Sequence, residues 1–280
     1  MSDTTTAEKQ SAGKPANNPT APAFRKGKNV IAVASGKGGV GKTWFSITLS
    51  HALARSGKKV LLFDGDLGLA NVDVQLGLMA KRDLNDVIRG RLSLDKVIQH
   101  YEEGGFDIIA GRSGQASLSA LPSQRLAMLR DQLLEVAEKY DVVIIDLGAG
   151  VDRTVRMMSA SATRTLLVTT DEPTSLTDAY AFIKLGNAAG MSKNVGIVVN
   201  QAPSNVEGEK TYKTLLKACE NFLRLKPPLV GMVAHDPRVK DSIRHQTPIL
   251  IRSPNTDAAE DVEDIARVMT KELAKVKAAG

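Results

Sequence analysis

The chain has 280 residues, 42% of them hydrophobic and 24% charged, with a formal net charge of +6 and a single cysteine. This is the balance of an ordinary folded protein long enough to bury a sizeable core, and no apolar run reaches the roughly 18 residues that a membrane span needs. One cysteine, Cys219, excludes an internal disulfide, and the absence of a C-x-x-C pair excludes the usual zinc and iron–sulfur frameworks.

Residues 1 to about 27 are rich in Thr, Ala, Lys, Pro and Asn, with no apolar period and no apolar core of a secretory signal. They read as a disordered tail. Residues 28–280 read as one domain. Its first apolar run is "NVIAVAS" (29–35), followed by the amphipathic stretch "TWFSITLSHALARSG". Further runs follow at 59–64 (KVLLFD), 106–111 (FDIIAG), 141–146 (DVVIID), 164–170 (RTLLVTT), 194–200 (NVGIVVN) and 228–233 (PLVGMV). Several are continuously apolar and β-branched, as strands covered on both faces are. Between them lie "PSQRLAMLRDQLLEVAEKY" and "PTSLTDAYAFIKLGNAAG", both at helical spacing. Strands alternating with helices predict an α/β fold: a single doubly wound, mostly parallel sheet flanked by helices. The last predicted helix spans about 257–277. Its stripe of Ala258, Val262, Ile265 and Met269 suits packing on the sheet. Leu273 and Val276, flanked by lysines, are the part it offers to lipid.

The chemistry is concentrated at "SGKGGVGKT" (35–43). Gly36 to Thr43 satisfies G-x-x-x-x-G-K-[ST] between a predicted strand and a predicted helix. Gly38, Gly39, Val40 and Gly41 supply backbone N–H groups that curl around phosphate oxygens, reinforced by the helix N-terminus. Lys42 reaches the β- and γ-phosphates, the Thr43 hydroxyl ligates Mg²⁺, and the Trp44 N–H serves the α-phosphate. Carboxylates close two strands: Asp64 and Asp66 in "LLFDGD", and Asp146 in "VVIIDLGAG". Such strand ends face the crevice where α/β sheets bind ligands. Asp64 reads equally well as a cap for the segment after it. The amide of Asn200, at another strand end, offers a donor and an acceptor to a purine edge. His51, His100, His235 and His245 are scattered without ligand spacing, and Cys219 reads as a small buried apolar residue.

The second lysine, Lys37, gives K-G-G-x-G-K-[ST], which resembles the deviant phosphate-binding loop of MinD/ParA-class P-loop ATPases. The resemblance runs from about residue 29 to 275. It implies Mg²⁺-dependent hydrolysis of ATP and a homodimer formed with ATP, in which Lys37 reaches the partner's nucleotide. It also implies that Asp66 positions the attacking water, that Asp146 bears on Mg²⁺ through water, and that the Gly150 N–H meets the γ-phosphate. The segment around Asp236 and Pro237 resembles the family's loop near the base. Within the class, "DGDLGLANVDVQLGL" (64–78) and the "DLGAG" around Gly148 resemble the FlhG group, MinD-like ATPases that set flagellar number and placement. A MinD-type or ParA-type positioning role in division or DNA segregation is the alternative. The tail departs from the group in lacking D-Q-A-x-x-L-R, and Trp44 replaces the usual Thr, Ser or Asn. The resemblance implies a cytoplasmic protein with a partner in the flagellar or positioning machinery. Residues 1–29 carry a net +3 and residues 270–280 a net +2, leaving the middle near neutral. Basic ends suit weak attachment to the anionic inner face of a membrane, whereas the neutral body argues against nucleic acid.

Overall fold

The computed structural model describes residues 26–66, 71–79, 82–111, 121–188 and 194–279. The predicted tail therefore lies, up to residue 25, outside the described residues. Gly27 is already tied to the body: its N–H donates to the Ser161 carbonyl at 3.0 Å and its carbonyl accepts from Thr163.

Eight strands form one sheet: β1 Val30–Ser35, β2 Val60–Gly65, β3 Gln99–Tyr101, β4 Phe106–Ile109, β5 Val142–Ala149, β6 Arg164–Thr169, β7 Val195–Ala202 and β8 Leu229–Ala234. Their order is β3-β4-β2-β5-β1-β6-β7-β8. All neighbours are parallel except β3, which runs antiparallel to β4 at the edge. The seven apolar runs all became parallel strands. The edge strand β3, three residues long and mostly polar, gave no comparable signal.

Ten helices connect the strands among the described residues: α1 Lys42–Arg55, α2 Val72–Leu76, α3 Leu84–Ile88, α4 Ser123–Ala137, α5 Arg153–Ser161, α6 Pro173–Ala188, α7 Asn205–Leu223, α8 Pro237–Arg244, α9 Ile249–Arg252 and α10 Asp257–Ala279. Alternation along each strand assigns side chains to two layers. Val30, Ala32 and Ala34 face a core with residues of α4, α5, α6 and α7, while Ile31 and Val33 face one with α1, α2, α9 and α10.

Helix α10 corrects one expectation. Leu273 is buried, only 6% exposed, in the same core as Ile265 and Met269. The apolar stripe continues one turn past Met269, at the i+4 spacing that keeps a side chain on the same helix face. Salt bridges from Arg55 to Glu263 (3.0 Å) and from Arg164 to Glu272 (3.4 Å) fasten the helix along its length. Val276 and Val268 are the partly exposed aliphatic residues left on it. None of the described helices is long and apolar enough to cross a membrane.

Candidate functional site

The central strands β1, β2 and β5 end together at one edge of the sheet, and the loops that leave them build the site. The β1–α1 loop needs its glycines for two separate reasons. Gly39 and Gly41 have φ of +80° and +89°, a region that side chains disfavour. Gly41 is also crowded, because a Cβ there would lie 2.4 Å from Asn200 Nδ2. Gly36 packs against α6, where a Cβ would fall 2.2 Å from the Asp178 backbone. Helix α1 starts at Lys42 with no side-chain cap on its first N–H groups, which leaves those donors and the positive end of the helix dipole for an anion.

A cleft of about 720 Å³ opens above this loop. Gly38, Gly39, Gly41, Lys42, Thr43 and Trp44 line it together with Asp66 and Gly148. Nothing stands within 4 Å of where a Cβ would sit on Gly38 or Gly39, so their backbone faces open space. The cleft is glycine-walled, cationic at Lys42 and carboxylate-lined at Asp66, which is the donor set for a metal–polyphosphate.

Paired β2 and β5 place Asp64 level with Asp146. Asp146 is buried and accepts from the Ser46 hydroxyl at 2.9 Å and from Thr43. Burial pushes its carboxyl up to about 6, against the pull of Lys42 and of the two hydroxyls. Asp64 is fully buried, and burial together with the neighbouring Asp146 raises it well above the usual carboxylate range. Its two oxygens accept from the N–H groups of Asp66 (3.2 Å) and Val72 (3.3 Å), pinning both ends of the segment between them. Asp64 thus works as a loop tether, while the Asp66 carboxylate stands beside Gly148, whose Cβ would be 3.3 Å from it. Residues 67–70 of the FlhG-like motif lie outside the described residues.

Three site residues have partners that the sequence did not disclose. Lys37, which the sequence leaves without a role inside one subunit, is bonded in its own chain to Glu172 (2.5 Å) and Thr174 (2.8 Å) at the start of α6. Those partners are more than 130 positions away, so no local pattern pointed to them. The Asn200 amide is buried and its Nδ2 donates to the Val40 carbonyl at 2.8 Å. The Gly150 N–H donates to the Ser35 carbonyl at 2.9 Å, so a contact with phosphate requires that bond to open. Ser46 was missed, although its place one helical turn after Thr43 was a readable signal. Asp236 caps α8 and is held by Arg238 at 2.8 Å.

The model of the CobQ/CobB/MinD/ParA nucleotide-binding domain matches residues 31–249. The chain belongs to this family. Among its relatives, the antiactivator FleN of Pseudomonas aeruginosa is 39% identical over 85% of both chains. The flagellum site-determining protein YlxH of Helicobacter pylori is 31% identical, over 87% of this chain and 82% of its own. The MinC:MinD cell division complex of Aquifex aeolicus contains a chain that superimposes with a TM-score of 0.70 at 27% identity, covering 87% of this chain and 96% of its own. As in other members of the CobQ/CobB/MinD/ParA family, a mostly parallel sheet is flanked by helices.

Proposed function

We propose that the protein is a Mg²⁺-dependent ATPase that dimerises with ATP and regulates flagellar number or placement. The observation that carries the reading is the second loop lysine. Lys37 directly precedes Gly38 of the cleft lining, is over a third exposed, and is held by Glu172 and Thr174 at the start of α6. It is therefore free to exchange those partners for a phosphate on a second copy. The flagellar assignment is supported by the names of the FleN and YlxH relatives.

In this reading the loop amides and Lys42 bind and orient the triphosphate. Thr43, and Asp146 through water, already in contact with each other, would hold Mg²⁺, which would supply charge neutralisation. Ser46 keeps the Asp146 carboxylate turned toward Thr43. Asp66 orients the attacking water, and Lys37 of the second copy neutralises charge as the γ-phosphate departs. Closing two clefts face to face excludes water and strengthens those contacts. A protein partner and the basic ends at an anionic membrane would then read the dimeric state.

Light scattering with ATP and Mg²⁺ tests the reading. Wild type should double in mass, whereas Lys37→Ala should bind nucleotide and remain monomeric. Equal masses for the two proteins would remove the trans-acting lysine.

A further inference from the structure

Trp44 is the only tryptophan, and its place is unusual. Its ring is 5% exposed, yet it borders both the nucleotide cleft and a small cavity among α1, α2, α8 and α9. Gln75 of α2 and Ile243 of α8 border both spaces too. The indole therefore stands in a wall between the phosphate site and the helices behind it. Its Nε1–H is buried and has no hydrogen-bond partner. Leaving such a donor unmade is costly, so a conformation that satisfies it is favoured.

Helix α2 depends on its neighbours for its place. With only five residues it cannot hold itself. Among its attachments, Asp64 accepts from the Val72 N–H, Gln246 donates to the Val74 carbonyl at 3.0 Å, and Val72 and Leu76 pack in the core that holds Trp44. Gln75, which lines both cavities with Trp44, carries an amide oxygen able to accept. Asp64 grips Asp66 and α2 at once, so where α2 sits bears on where Asp66 points.

We propose that Trp44 is a positioning residue for hydrolysis. In the nucleotide-loaded protein its Nε1–H donates to the Gln75 side-chain oxygen, seating α2 against α1 and thereby holding Asp66 in place for the attacking water. The proposal rests on the reading of Asp66 given above. It gives Trp44 a mechanical purpose: the loop helix itself, rather than the phosphates alone, fixes the carboxylate of Asp66.

The test uses the full chain and four variants. Trp44→Phe keeps the ring and removes the donor. Gln75→Met keeps length and removes the acceptor, whereas Gln75→Glu keeps an acceptor oxygen. The fourth combines Trp44→Phe with Gln75→Met. One hydrogen bond made only in the loaded state predicts kcat lower by roughly fivefold to tenfold in Trp44→Phe and in Gln75→Met, with KM for ATP within about twofold. The double variant should be no slower than either single one, and Gln75→Glu, which keeps an acceptor, should lose less kcat than Gln75→Met. Independently of turnover, ATP–Mg²⁺ should shift the Trp44 emission in wild type and leave it unshifted in Gln75→Met, with binding of both proteins verified calorimetrically. Additive losses in the double variant, a wild-type kcat in Trp44→Phe, or an unchanged emission shift in Gln75→Met would each overturn the pairing. A wild-type protein that binds ATP without hydrolysing it would instead overturn the ATPase reading, and the emission comparison would still decide the Trp44–Gln75 contact.

Discussion

Glu172→Gln should make the protein dimerise more readily. In one chain Lys37 is bonded to Glu172 at 2.5 Å and to Thr174 at 2.8 Å. A lysine that serves the partner's nucleotide must first leave both. The pair is half in solvent, with side chains 36% and 61% exposed, so its strength is that of a surface ion pair, about 0.5–1 kcal/mol. A symmetric dimer releases two such lysines, which makes the obstacle about 1–2 kcal/mol per dimer. The substitution keeps the shape of the side chain and removes the charge. The dimerisation constant with ATP and Mg²⁺ should therefore tighten by roughly 5- to 30-fold. Sedimentation velocity over a protein dilution series measures this directly, and nucleotide-free protein of both forms should stay monomeric. An unchanged constant would mean that the lysine does not leave Glu172 on dimerisation. A weaker dimer would place Glu172 itself in the interface.

The other predictions concern catalysis and stability. Asp66→Ala should bind ATP and lose on the order of 10²-fold in turnover, accumulating as dimer; phosphate release and light scattering on one sample check both halves. Leu273→Ala should cost about 2–4 kcal/mol in urea unfolding, because Leu273 is a core residue, whereas deleting residues 274–280 should cost little. His51 is buried with its Nδ1 unpartnered, and burial, with Arg55 adding, pushes its imidazole from 6.5 down to about 4. The unfolded chain binds this proton more readily, so stability should fall as pH drops from about 6.5 toward 4. His51→Leu should flatten that part of the urea-midpoint profile, and an unaltered profile would exclude His51 as its source.

The parts of the fold legible in the sequence were those with length. Runs such as "VVIID" announce buried parallel strands because β-branched residues continue without polar alternation, and α1, α4, α6 and α10 are long enough to show a period. Helices α2, α3 and α9 have four or five residues, less than two turns, so no period can appear. The loop residues from Gly38 to Thr43 were legible because phosphate binding demands glycine and lysine at fixed spacing, and Asp66 and Asp146 because strand ends locate them. What stayed hidden was pairing across distance. Glu172 with Lys37 and Asn200 with Val40 are joined, and Gln75 and Trp44 brought to line one cleft, by the winding of the sheet. Asp64 shows the boundary well. Its residue type and place were readable, but its bonds to both the Asp66 and the Val72 N–H are set by the fold rather than by local pattern.

The central claim is that one copy's Lys37 acts on the other copy's nucleotide. Mixing two defective proteins tests it most directly. Lys37→Ala keeps Asp66 and lacks the lysine, while Asp66→Ala binds ATP and keeps Lys37. Each alone should hydrolyse ATP slowly. In a mixed dimer the Lys37→Ala site, with its own Asp66, receives the lysine of the Asp66→Ala copy. The mixture should therefore turn over ATP well above the sum of the separate rates, rising with the fraction of mixed dimers. A rate equal to that sum, with mixed dimers shown to form, would contradict the account.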